Sequence, residues 1–166
     1  AGSVLRQHTD TQLYYRTDHH WTTEAAFYVY QNWAAVQKLP VREADHYEIR
    51  TVTDAFEGTI QSKLGIHTVT DSIDLYLAEG DPFYTVQKNG SEEVDYSIYD
   101  YSALDTKDKY AVFFGGNQAL VKISTRAKAD RRFLVIQDSY AHCFLPFLFE
   151  DASEIDVVDL RYYNQK

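Results

Sequence analysis

Asp18, His19, His20 and Trp21 stand in a row within RTDHHWTTEAAF (Arg16 to Phe27), and Ser139 follows an aspartate in VIQDSYAHCF, far downstream. An imidazole can take the proton of a serine hydroxyl, and a carboxylate that fixes the imidazole tautomer makes it a better base. Asp18, His20 and Ser139 therefore hold the parts for acyl transfer through an acyl-serine. A serine at the start of a helix also sits among backbone N–H groups able to stabilise an oxyanion, its own included. Each residue has a plainer role open to it. Ser139 can simply cap the segment that follows, and Asp18 can satisfy backbone donors of a turn. In an extended chain His19 and His20 would point to opposite faces, leaving one of them to packing. Trp21 suits a core better than a substrate platform.

The elements around these residues decide whether they can meet. TTEAAFYVYQNWAAVQKL repeats apolar residues at steps of three and four (Ala26, Tyr30, Trp33, then Val36 or Gln37), which predicts a helix. Thr22 fits its N-cap, Glu24 its first turn, and Pro40 its end. QLYY (Gln12 to Tyr15) reads as an extended segment before it. Downstream, Phe133 to Ile136 is a short apolar run of buried-strand type. Gln137-Asp138-Ser139 breaks it, and Tyr140, Phe144, Phe147 and Leu148 resume at helical spacing. EIDVVDL (Glu154 to Leu160) is a second buried strand. Strand, serine junction, helix, strand is the βαβ pattern of an open α/β sheet, whose ligands sit beyond the carboxyl ends of the strands. Between about Val41 and Lys109 the chain reads as turns and short strands. FYTVQKNGSEEVDYSIYDY predicts a hairpin about Asn89-Gly90, and YAVFFGGNQALVKIST another about Gly115-Gly116-Asn117. That glycine-rich bend is first of all a turn; oxyanion donation from Gly116 or Asn117 is its second reading.

A chain of 166 residues with 45% hydrophobic and 25% charged residues can form one domain with a sizeable core. A net charge of −9 argues against nucleic-acid partners and against docking on an anionic membrane. No apolar run approaches the roughly 20 residues of a membrane span. Fourteen tyrosines suit half-buried sheet faces, or a carbohydrate-facing cleft. The single cysteine, Cys143, excludes an intrachain disulfide.

The blocks RTDHHWTTEAAF, VIQDSYAHCFLPFL and VVDLRYY together resemble the bacterial DHHW protein family, named for the tetrad at Asp18 to Trp21. That family is similar to the SGNH-hydrolase-like domains of the alginate O-acetylation proteins of the bacterial periplasm. The resemblance implies an α/β fold, an SGNH-hydrolase-like three-layer sandwich around a mainly parallel sheet with a hairpin-rich middle insertion. In ordinary SGNH esterases the serine comes first and the Asp-His pair last, so the motif order here resembles a circular permutation. Mapped onto this chain, Asp18 orients, His20 is the base, Ser139 the nucleophile, and His19 intervenes. Gln137 stands where the esterase serine block carries glycine and narrows the approach. Gly116-Asn117 is the nearest match for the oxyanion blocks. The expectation is a single domain over residues 1–166, truncated at both ends, extracytoplasmic, with a signal or anchor outside it.

The function implied is an O-acetyltransferase or acetylesterase on a cell-surface or secreted polysaccharide. An acyl donor and other proteins of an exopolysaccharide modification system would be its partners. Tyr140 and Arg161 are candidates to hold the glycan. The alternative is a catalytically inactive module that binds polysaccharide or an export partner. A metal site at Asp18, His19 and His20 is a third reading, but adjacent histidines are poor joint ligands, and His46, His67 and His142 are scattered. No metal and no cofactor are expected.

Overall fold

The computed structural model describes residues 1–65, 67–78 and 83–163. After a one-turn helix, α1 (Gly2–Leu5), the DHHW segment leads into α2 (Thr23–Val36). Thr22 caps α2 as expected, its hydroxyl accepting the Ala25 N–H at 3.2 Å. The stripe Ala26, Phe27, Tyr30 and Ala34 is buried. At the other end Lys38 adopts a left-handed φ of 58°. The Leu39 and Lys38 N–H groups then return to the carbonyls of Ala34 and Ala35 (2.9 and 3.1 Å), a Schellman closure that turns the chain just before Pro40.

Two sheets follow. Strands β1 (Tyr47–Phe56) and β2 (Asp71–Ala78) form an antiparallel ribbon, with α3 (Thr59–Leu64) between them in sequence. The larger sheet has the order β3-β4-β6-β5, built from β3 (Tyr84–Lys88), β4 (Leu120–Thr125), β5 (Arg132–Ile136) and β6 (Glu154–Val158). Only β5 and β6 run parallel; β3–β4 and β4–β6 are antiparallel. This overturns the expected three-layer SGNH-like sandwich around a mainly parallel sheet, and the circular-permutation description with it. The βαβ pattern covers a single crossover, β5 to β6, and β4, which enters from the middle of the chain between β3 and β6, runs opposite to both.

Local readings need correction too. The 140–148 segment is not an α-helix but two short 3-10 turns, Ser139–Ala141 and Leu145–Leu148. Pro146 sits in the first positions of the second turn, where it removes an N–H and disfavours helical backbone at Leu145. Asn89 and Gly90 do turn with positive φ (54° and 74°). Yet β3 pairs with β4, and the returning segment makes only the Val86–Asp95 bridge. Gly115 and Gly116 also have positive φ, but they join a 3-10 turn (Lys109–Val112) to β4 and not two strands of a hairpin. β5 lies at the sheet edge with Leu134 and Ile136 exposed, where a buried run is expected.

The core gathers under both sheets. Phe27, Tyr30, Tyr47 and Tyr76 surround Phe147 at ring separations of 5.3–5.6 Å. Six tyrosines, Tyr15, Tyr30, Tyr47, Tyr76, Tyr84 and Tyr110, are buried, so much of the tyrosine content is packing. No helix among the described residues is long and apolar enough to cross a membrane.

Candidate active site

Two buried carboxylates fasten the DHHW segment to its surroundings. Asp71, at the start of β2, accepts from the Thr17 N–H and hydroxyl (2.8 and 2.7 Å) and from Gln12 Nε2 (2.8 Å). The Thr17 carbonyl in turn accepts the N–H groups of Ile60 and Gln61 in α3 (3.1 and 3.2 Å). Asp18 is the second. Its Oδ2 takes the Thr59 N–H (2.7 Å) and hydroxyl (2.8 Å), and its Oδ1 takes the His20 N–H (3.0 Å). Residues 16–20 are therefore bent around α3, not extended. As a result the His19 and His20 rings lie side by side, 3.9 Å apart, contrary to the expected opposite faces.

Asp18 Oδ1 lies 2.5 Å from His20 Nδ1, and His20 Nε2 lies 2.7 Å from Ser139 Oγ, across 119 residues of sequence. Burial pushes the Asp18 carboxyl up, but the hydrogen bonds from His20 and Thr59 outweigh it and hold the group well below the usual carboxylate range. An ionised carboxylate only accepts, so the proton on this side belongs to His20 Nδ1. Nε2 is then free to accept the Ser139 hydroxyl. Similarly, the Thr59 hydroxyl donates to Asp18, so His19 Nδ1–H donates to Thr59 Oγ1 (2.7 Å) and stands outside the Asp18–His20–Ser139 line.

Ser139 opens its 3-10 turn, and Asp138, not Ser139, is the N-cap, accepting from the Tyr140 N–H at 3.0 Å. The first N–H of such a turn has no partner within the turn, which leaves the Ser139 amide beside its own hydroxyl. The other two oxyanion candidates are committed elsewhere. The Gly116 N–H donates to the Phe113 carbonyl (3.2 Å), and Asn117 Nδ2 to the Tyr162 hydroxyl (3.2 Å).

A cavity of about 580 Å³ opens next to this turn. Its walls are mainly apolar, from residues such as Trp21, Val29, Val135, Phe144 and Leu160, with Gln137, Asp138, Tyr140, Asp159 and Arg161 at the polar positions. Trp21 serves both packing and position, since Nε1 donates to the Tyr140 carbonyl at 2.7 Å. Tyr140 lines the cavity and its hydroxyl donates to the His19 carbonyl. Arg161 reaches the same space, but its guanidinium is already paired with buried Asp159 at 2.6 to 3.2 Å. Gln137 also lines the cavity, with a buried Oε1 that has no hydrogen-bond partner. Donor atoms of Asp18, His19 and His20 lie within 4.8 Å of one another. A metal there would have to displace the Asp18–His20–Ser139 hydrogen bonds, because both ring nitrogens of His20 are in use.

Three supporting residues carry no motif signal in the sequence. Gly58 and Thr59 wrap Asp18, and Tyr110 lies flat against the His20 ring at 4.0 Å and 9°. Only the EGT turn before α3 marks the first two, and that is visible once the fold places it.

Residues 2–158 match the DHHW protein family model. The chain belongs to the DHHW protein family. A DHHW family protein from Eubacterium siraeum DSM 15702 has a crystal structure similar to this fold, with TM-score 0.83 and 28% identity over 98% of this chain and 56% of that one. Bacillus cereus PatB1 shares the fold in two structures. The one with a sulfonyl adduct has TM-score 0.75 and 24% identity, covering 93% of this chain and 54% of that one. The other has TM-score 0.72 and 22% identity, covering 93% and 56%. This DHHW chain thus spans little more than half the length of the solved structures it matches. No curated protein matches it.

Proposed function

We propose that Asp18, His20 and Ser139 are a catalytic triad, and that the protein transfers an acetyl group through an acyl-serine as an O-acetyltransferase or acetylesterase. The observation that carries this reading is the continuous chain from Asp18 Oδ1 through His20 to Ser139 Oγ, at 2.5 and 2.7 Å. As the ester carbonyl is attacked, His20 takes the serine proton, and Asp18 stabilises the imidazolium that results. His20 returns the proton to the departing alkoxide, leaving acetyl-Ser139. A sugar hydroxyl or water then attacks that ester in the reverse sense. The Ser139 N–H, at the open start of its 3-10 turn, is the proposed oxyanion donor.

The substrate reading is a cell-surface or secreted polysaccharide. It rests on the Asp-x-His pair preceding the serine, as in the alginate O-acetylation proteins, and an acyl donor and an exopolysaccharide modification system are its proposed partners. An extracytoplasmic location goes with it. Tyr140, at the cavity wall, is the proposed glycan contact; Arg161, neutralised by Asp159, can contribute stacking or a rim hydrogen bond but little free charge. The sulfonyl adduct carried by PatB1 supports an activated nucleophile in this fold, since sulfonyl electrophiles capture such groups.

The test is hydrolysis of p-nitrophenyl acetate by the protein and by Ser139→Ala. Loss of turnover on substitution supports the reading; equal rates remove Ser139 from the mechanism. One observation favours the non-catalytic binding module: the Gly116 N–H and Asn117 Nδ2 donate to the Phe113 carbonyl and the Tyr162 hydroxyl. That reading requires glycan binding that survives Ser139→Ala and His20→Ala, with no ester turnover in the parent protein.

A further inference from the structure

We infer that Tyr110 is a positioning residue for the same chemistry, holding the His20 ring and the Ser139 backbone in register; the inference rests on the acyl-transfer reading above. Tyr110 comes from the 3-10 turn Lys109–Val112, distant in sequence from both residues it touches. Its ring is stacked on the His20 imidazole at 4.0 Å with only 9° between the planes. Its hydroxyl donates to the Ser139 carbonyl at 3.2 Å. One buried side chain therefore contacts both the base and the residue bearing the nucleophile.

The two hydrogen bonds at the ring nitrogens and the Cβ attachment set the mean orientation of the His20 imidazole but leave it room to rock in χ1 and χ2, the latter a broad sp3–sp2 torsion. Face-to-face packing removes that freedom. The other rings near His20, those of His19 and Tyr140, are tilted by 37° and 53° and cannot set the plane in the same way. Tyr110 is itself held from behind by Phe56, Tyr15 and Phe113 at 5.2–6.4 Å. When His20 accepts the serine proton, the positive ring lies against the electron-rich face of Tyr110 in a place with little water, where a cation–π contact is most effective. Burial raises the Tyr110 hydroxyl well above its ordinary value, so it stays protonated and keeps donating to Ser139.

A tyrosine that merely fills the core would show a different pattern on substitution. Tyr110→Phe keeps the ring and loses the hydroxyl; Tyr110→Leu loses the stacked face. Phe147→Leu, a buried aromatic set among Phe27, Tyr30, Tyr47 and Tyr76, controls for general destabilisation. Two readouts are taken on each folded variant: the rate at which a sulfonyl fluoride labels Ser139, and the NMR signal of the His20 Nδ1–H. With Tyr110→Leu labelling is expected to fall about 10- to 30-fold, the size of a lost desolvated cation–π contact. The Nδ1–H signal should broaden or shift. Tyr110→Phe should stay within about fivefold of the parent, the scale of one net hydrogen bond. Phe147→Leu should change neither. Wild-type labelling and an unaltered Nδ1–H signal in Tyr110→Leu would overturn the inference, as would a fall in Tyr110→Phe as deep as that expected for leucine. If Tyr110→Leu does not fold, Tyr110→Phe decides by that second criterion. If the parent is never labelled, the acyl-transfer reading fails, while the Nδ1–H signal still reports separately whether Tyr110 orients His20.

Discussion

A β-carbon placed on Gly58 would lie 2.2 Å from the Asp18 Cβ and 2.6 Å from its Oδ2. The φ of Gly58 is −80°, so glycine is required here for space and not for backbone freedom. That close approach is what lets the Thr59 N–H and hydroxyl both reach the Asp18 carboxylate. Gly58→Ala must push Asp18 aside. It should destabilise the protein by about 1–3 kcal/mol, the usual cost of overpacking, and slow sulfonyl labelling of Ser139 as His20 loses its partner. Denaturant titration and a labelling time course measure the two effects. Unchanged stability would mean the turn moves freely and Asp18 is not clamped.

Asp18 makes stability depend on pH in a stated direction. Its folded pKa lies below the unfolded value of about 4, so its contribution is fully present above that value. It is lost as pH falls from there towards the depressed folded pKa. Thermal melts between pH 6 and pH 2 should therefore decline more steeply for the parent than for Asp18→Asn in the acid range. Parallel curves would show that the hydrogen bonds at Asp18 add no net stability to the ionised form.

His142 predicts a second pH effect, at a higher window. Burial, with His20 nearby, pushes its imidazole down to about 4, and its Nε2 has no hydrogen-bond partner. The unfolded chain takes up that proton near pH 6.5 and the folded one does not until about pH 4. Stability should thus fall across that interval. His142→Leu should flatten the melting temperature between pH 6.5 and pH 4; an identical slope in both proteins would mean His142 is protonated in place.

Lys38 closes α2 with a left-handed backbone that costs a side chain and suits glycine. Lys38→Gly should raise stability by about 0.5–1 kcal/mol, measured by chemical denaturation. A loss of stability would mean that the lysine side chain contributes more than its backbone conformation costs.

The parts legible in the sequence were those written in neighbouring residues. Thr22 and the Ala26–Tyr30 spacing announce α2, and the β5–serine–β6 run announces one parallel crossover. Asp18, His20 and Ser139 could be paired because two junctions carried complementary groups. The architecture was less legible because it is set by partners distant in sequence. β3 has a good local turn at Asn89-Gly90, yet its ladder is with β4, its pairs running from Lys88–Val121 to Tyr84–Thr125. Nothing local distinguishes those two outcomes. Pro146 is a local signal against a continuous helix there, although the spacing of Phe144 and Phe147 suits one. Gly58, Thr59 and Tyr110 were invisible for a different reason. Each acts through a contact made only after folding, and as isolated letters they are an ordinary turn and an ordinary aromatic.

If Ser139 becomes acylated with His20 as its base, the acyl-enzyme intermediate can be trapped and located. The protein is mixed with p-nitrophenyl acetate, quenched in acid within the first turnovers, digested and mapped by mass spectrometry. An acetyl group is expected on the peptide containing Ser139, absent from Ser139→Ala and greatly diminished in His20→Ala. Turnover with that peptide unmodified, or equal acetylation when His20 is replaced, would contradict acylation of Ser139 with His20 as its base.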